Sequence, residues 1–222
     1  MLLKQGDRST AVFRAQDALG IKADGVFGPQ TKAAVEAYQR AHGLADDGII
    51  GPATWAALTG AVATDPPAFP PSNYGIRTGA PPSLIVVHHS ETRSAADTKR
   101  ILTGRGLSTH YEVDRDGVVH CYLDPVKFVA WHCGGGVNHR SIGIDVTHYG
   151  SQEFPAVQVA EVRQLVADLC ARFGIARACP PDTLYPRDSH NRAQLPAGFG
   201  VFRHRNIANT ACPAGFPLED CV

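Results

Sequence analysis

The sequence predicts an α/β domain with a mixed central β-sheet flanked by helices, preceded by a small three-helix domain. Three observations point there. A turn-and-helix unit occurs twice within residues 1–60, a proline-dense stretch follows over 61–82, and residues 83–222 alternate short apolar runs with helical patterns.

The repeat in 1–60 reads Asp24-Gly25-Val26-Phe27-Gly28-Pro29-Gln30-Thr31 and returns as Asp47-Gly48-Ile49-Ile50-Gly51-Pro52-Ala53-Thr54. Asp-Gly favours a tight turn, and Gly-Pro leads into a helix with proline near its first position. Ala34, Val35, Tyr38 and Ala41 follow the first copy on one helical face; Trp55, Leu58 and neighbouring alanines follow the second. Upstream, Ser9 is placed to cap a helix carrying Val12, Phe13 and Leu19.

Residues 61–82 hold Pro66, Pro67, Pro70, Pro71, Pro81 and Pro82, which predicts an extended, semi-rigid linker. Tyr74 and Ile76 leave open that its second half packs on a domain. Beyond it, residues 84–87 read as a buried strand. Residues 111–114 and 118–122 flank Arg115-Asp116-Gly117 as a hairpin, and 142–146 form another β-prone segment. Val159, Val162, Val166, Leu169 and Phe173 make 155–173 an amphipathic helix, which Gly174 stops. Residues 201–203 are read as a strand that delivers His204.

The formal net charge is zero over 222 residues, which gives no electrostatic ground for a nucleic-acid partner. No apolar stretch approaches the roughly 20 residues that cross a bilayer, so no membrane insertion is expected. The start lacks the apolar core of an export signal, so synthesis in the cytoplasm is expected. A monomer is expected. The six cysteines are read as free thiols, with Cys170 on the apolar face of the long helix.

Chemistry concentrates in a split ligand set. His88 closes the apolar run 84–87, while His204 and Cys212 stand eight residues apart in the last part of the chain. Two imidazoles and a thiolate suit Zn²⁺, and three protein ligands leave a fourth position for water. Such a centre activates water and polarises a carbonyl, so the expected chemistry is hydrolysis. His89, next along the strand, is expected to face the opposite way from His88. Gly134-Gly135-Gly136 follows no phosphate-loop pattern.

Two resemblances add to this reading. The doubled Asp-Gly-x-[Phe/Ile]-Gly-Pro-x-Thr resembles the peptidoglycan-binding module of bacterial and phage cell-wall enzymes, which implies anchoring to bacterial peptidoglycan. Residues 83–216 resemble the zinc-dependent N-acetylmuramoyl-L-alanine amidases of the phage lysozyme and peptidoglycan-recognition-protein type. The match runs through Val87-His88-His89-Ser90, Thr109-His110-Tyr111, Ala130-Trp131-His132-Cys133-Gly134, Asn138 to Asp145, and Phe202-Arg203-His204-Arg205 to Thr210-Ala211-Cys212-Pro213. The resemblance implies an α/β fold, a Zn²⁺ on His88, His204 and Cys212, and cleavage between N-acetylmuramic acid and L-alanine. It implies a proton-handling role for Asp145, where several relatives carry glutamate. It gives Thr210 a role in holding the substrate carbonyl, and Trp131, His132 and Asn138 contact with substrate. A tyrosine that some relatives place near the metal is replaced by Thr109 here.

The setting implied is a phage or prophage endolysin. Alternatives are a zinc peptidase cutting the stem peptide, for which His139 and Asp145 are a loose ligand pair, a recognition protein that binds without cutting, and a wall-recycling amidase. Residues 176–200 have no counterpart of this length in the family and are expected to form a wall of the substrate groove.

Overall fold

The computed structural model describes residues 3–59, 67–134 and 136–222. The chain forms two compact units, Met1–Val62 and Ala63–Val222. Residues 60–66 of the expected linker, and Gly135, lie outside the described residues.

The first unit contains α1 (Thr10–Ala18), α2 (Pro29–Ala41) and α3 (Pro52–Thr59). Ser9 caps α1, its hydroxyl accepting from the Val12 N–H at 3.1 Å. The repeat extends further back than the Asp-Gly turn. The Gln16 side-chain amide donates to Asp24 Oδ1 (3.0 Å), the Val26 carbonyl (2.9 Å) and Thr31 Oγ1 (2.9 Å). Gln39 donates in the same way to Asp47 Oδ1 (3.0 Å), the Ile49 carbonyl (2.8 Å) and Thr54 Oγ1 (3.0 Å). The amide oxygens accept from Gly25 and Gly48. Each buried glutamine thus locks one turn to the helix that follows it.

Two helical-face expectations are corrected. Phe13 is 46% exposed while Val12 is buried, and Ala41 lies in solvent. The buried line of α2 is Thr31, Val35 and Gln39, one residue per turn, because the glutamine network occupies the inner face.

The second unit comprises β1 (Tyr74–Ile76), β2 (Leu84–His89), α4 (Ala95–Gly104), β3 (Tyr111–Val113), β4 (Val119–Cys121), β5 (Phe128–Ala130), β6 (Ser141–Val146), α5 (Ala156–Phe173) and β7 (Val201–Arg203). Five strands make one mixed sheet in the order β4-β3-β6-β2-β7, in which β3 and β4 form the antiparallel hairpin and the other pairs are parallel. β1 and β5 pair separately as an antiparallel ribbon. Gly174, with φ of 65°, ends α5. Ser94 caps α4 by accepting from the Asp97 N–H at 3.2 Å.

Alternation along the strands sorts the two faces. Ile85, Val87, Ile142, Ile144, Val146, Tyr111, Val113 and Val201 pack with Val162, Val166, Leu169 and Cys170 of α5. The opposite face buries Leu84, Val86 and Phe202 with Cys133, Val137 and Ile207. The same alternation puts His88, Asp145 and Glu112 on that second face.

The described part of the expected linker includes packed segments, the alternative that Tyr74 and Ile76 leave open. Phe69 is buried with Tyr122, Leu123 and Ala130, and β1 pairs with β5. Asn73 donates to the carbonyls of Thr103 (3.1 Å) and Leu107 (3.0 Å). Aromatic residues among the prolines supply apolar area that packs on the second unit. All six cysteines are free. Among the described residues no helix is long and apolar enough to cross a membrane.

Candidate metal centre

The centre is built at the ends of three neighbouring parallel strands. His88, in β2, is the register partner of Asp145 in β6. Val87 is the partner of Arg203 in β7, so His204 follows at the same level. Cys212 returns on the next loop, where its Sγ accepts from the His89 N–H at 3.2 Å. One donor atom each from His88, His204 and Cys212 lies within 4.8 Å of the others, and the His88 and His204 rings are 4.4 Å apart. The three expected ligands therefore converge, and His89 faces away as the strand period requires.

The electrostatics suit a cation. Burial holds His88 well below the ordinary imidazole range, helped by His204, His132 and His89. Burial lowers His204 to about 4, with Arg187 adding to the effect. Both rings are neutral at pH 7 and offer a lone pair. Burial pushes the Cys212 thiol up to about 12, so its thiolate needs a compensating positive charge, which a bound metal supplies.

His132 is half-buried and lies beside His88. Its Nδ1 lies 2.9 Å from His88 Nε2 and its Nε2 lies 2.9 Å from Ser141 Oγ. Ser141 in turn donates to the Asn138 carbonyl at 3.4 Å. Followed from that carbonyl, which can only accept, the chain makes His132 Nε2 the donor to Ser141 and His132 Nδ1 the acceptor from His88 Nε2–H. His88 Nδ1 then keeps its lone pair for a metal. Gly143 makes room for this ring: a Cβ there would sit 2.8 Å from His132 Cγ.

The other expected contacts divide. Asn138 Oδ1 accepts from the N–H groups of Cys133 (3.0 Å), Gly134 (3.1 Å) and His132 (3.3 Å), which makes it the organiser of the loop that carries His132. Trp131 is half-buried against Gly75 of the ribbon and meets His139 edge-on at 5.9 Å. His139 is exposed, whereas Asp145 is buried, so they make no ligand pair. Thr210 Oγ1 accepts from the Cys212 N–H at 3.3 Å, leaving its hydroxyl hydrogen to donate elsewhere. Residues 176–200 fold without helix or strand of their own over the outer side of β7. Ala193 packs beside Phe202, and Arg187 donates to the Ile207 carbonyl at 2.8 Å.

One residue escaped the sequence reading. Glu112 of β3 is the register partner of Asp145 and is fully buried. An acidic residue at an inward position of a strand was the available signal.

Comparison with known proteins follows the same division. Residues 78–215 match the family model described as N-acetylmuramoyl-L-alanine amidase, and residues 13–58 match one described as "Putative peptidoglycan binding domain". A curated relative, "Putative N-acetylmuramoyl-L-alanine amidase RC0497" of Rickettsia conorii, is 26% identical over 102 residues, 43% of this chain. The match spans only 38% of that relative's length. Among solved structures, a selenomethionine derivative of AmpD superposes with TM-score 0.50 at 20% identity, over 69% of this chain and 92% of that one, a likeness of fold. N-acetylmuramoyl-L-alanine amidase LysC from Clostridium intestinale URNW gives 0.49 at 22% identity, over 67% and 91%. With its model matched along most of the second unit, the chain belongs to the N-acetylmuramoyl-L-alanine amidase family.

Proposed function

We propose that this protein is a zinc-dependent peptidoglycan hydrolase that cuts the amide between N-acetylmuramic acid and the L-alanine of the stem peptide. The observation that carries the reading is the convergence of His88, His204 and Cys212 on the face that also holds Asp145, inside a domain of the amidase family. Two imidazoles and a thiolate match zinc, which when bound in a three-ligand site supplies Lewis acidity and a water of near-neutral pKa.

This chain's own residues do the rest. His132 holds the His88 ring in one orientation through the 2.9 Å bond. Asp145 accepts a proton from the attacking water and returns it to the leaving amine of L-alanine. The Thr210 hydroxyl donates to the carbonyl oxygen as negative charge develops there. The first unit holds the substrate: its match to a wall-binding module supports retention on bacterial peptidoglycan, which raises the local concentration of the second unit. A wall-binding module joined to a lytic one supports an endolysin of phage or prophage that acts at the cell wall.

Product analysis of digested sacculi tests the reading. Free stem peptides with a new L-alanine amino terminus, and no new reducing ends, are expected. New amino groups on diaminopimelate or D-alanine, with the sugar–peptide bond intact, would make the enzyme a peptidase instead.

A further inference from the structure

A second donor set gathers on the other face of the sheet, beneath the loop that carries Cys212. His89, Glu91 and His148 each place one ligand atom within 4.8 Å of the other two. The set combines the turn after β2 with the segment after β6.

The hydrogen-bond pattern leaves one nitrogen of each ring toward the cluster. His148 is 5% exposed, and its Nε2 donates to the Gln152 carbonyl at 2.7 Å. A carbonyl only accepts, so His148 Nδ1 carries a lone pair. That atom is shielded from solvent and has no hydrogen-bond partner among the described residues. A buried acceptor left bare is destabilising unless something fills it. Phe154 stacks on the His148 ring at 4.2 Å and fixes its plane.

His89 is held in the complementary sense. Its Nδ1 accepts from the Ala214 N–H at 2.9 Å, so Nε2 is the nitrogen that faces Glu91 Oε1 at 2.8 Å. Glu91 adopts φ of 49°, a conformation uncommon outside glycine, and its other oxygen accepts from the Gly150 N–H at 3.3 Å. The outer side of the cluster is open, with the Glu91 side chain 57% exposed, which leaves positions for water.

We propose that His89, Glu91 and His148 form a second metal site for a divalent transition ion of the zinc class. Two imidazoles and a carboxylate are ligands such ions accept. Binding replaces the proton on His89 Nε2, which leaves to solvent, and gives His148 Nδ1 its partner. The site is structural. Through His89, whose ring holds Ala214 and whose backbone N–H holds Cys212 Sγ, it pins the Cys212 loop to the end of β2.

Titration of the metal-free full-length chain with Co²⁺, followed by absorption spectroscopy, tests this. Two equivalents are expected, one with a thiolate-to-cobalt charge-transfer band and one with ligand-field bands only. Glu91→Gln and His148→Gln should each lower the count from two to one and keep the thiolate band. Cys212→Ser should lose the band and keep the second equivalent. Wild type saturating at one thiolate-bound equivalent, or both variants still taking two, would overturn the proposal. If His148→Gln does not fold by circular dichroism, Glu91→Gln decides, because it lies on an exposed turn. A single equivalent without a thiolate band, lost in Glu91→Gln, would remove the His88–His204–Cys212 reading and leave this site standing.

Discussion

Glu112 and Asp145 stand opposite each other on neighbouring parallel strands, in one row with His88. Both carboxyls are out of water. Burial pushes Glu112 up to about 8, with the charge of Asp145 adding to it, and burial pushes Asp145 up to about 7. Glu112 also accepts from Thr147 (2.8 Å) and Tyr122 (3.1 Å). Two adjacent buried carboxyls cannot both ionise cheaply, so the pair holds a proton more tightly than two separate carboxyls would.

Asp145→Asn keeps the shape but cannot accept a proton. The variant should fold and retain metal, with kcat lowered on the order of 10²-fold. Turnover within a small factor of wild type would make Asp145 a structural residue.

Glu112 also ties stability to pH. Its folded value of about 8 lies above the ordinary carboxyl value of 4.5, so the folded state holds the proton more tightly than the unfolded state does. That contribution is complete below about 4.5 and is lost as pH rises through about 8. Glu112→Gln should flatten the fall of Tm across this window. An unchanged slope would show that Glu112 titrates normally.

Metal affinity at the His88 centre should follow the thiol. Cys212 sits at about 12, and its proton is displaced on binding. With both imidazoles already neutral, log K should rise by about one per pH unit through neutrality and steepen only below about 4, where His204 protonates. A break near the ordinary imidazole pKa would contradict the buried, neutral state of both rings.

Ligand identity has its own test. Cys212→Ser and His88→Ala should each lose the metal of this centre, whereas His89→Ala should keep the thiolate-bound ion. Elemental analysis combined with the thiolate band reads this directly. Loss of the band in His89→Ala but not in His88→Ala would reverse the strand register.

The glutamine networks of the first unit should govern wall retention. Gln39→Ala strands the groups that Gln39 now satisfies, Gly48 N–H among them, at a cost of about 1–3 kcal/mol. The full chain should then pellet less with sacculi while hydrolysing soluble muropeptides at the wild-type rate. Unchanged pelleting would separate retention from the fold of this unit.

Sequence alone determined the features that rest on local pattern. Apolar alternation marked the strands at 84–87 and 142–146, the 3.6-residue period marked α5, and Asp-Gly turns marked the repeat. Residue type and strand ending were enough to single out His88, His204 and Cys212, because ligand chemistry belongs to the side chain. What depends on who pairs with whom came only with tertiary structure. Parallel register set Asp145 between His88 and Glu112, and the segment after β5 brought His132 against His88. The three-residue strands β1 and β5 are too short to show a period, so 74–76 read as linker until β5 paired with it. The roles of Gln16 and Gln39 are not legible in the sequence, because their partners lie 8 to 15 positions away and meet them only when each turn folds back on its helix.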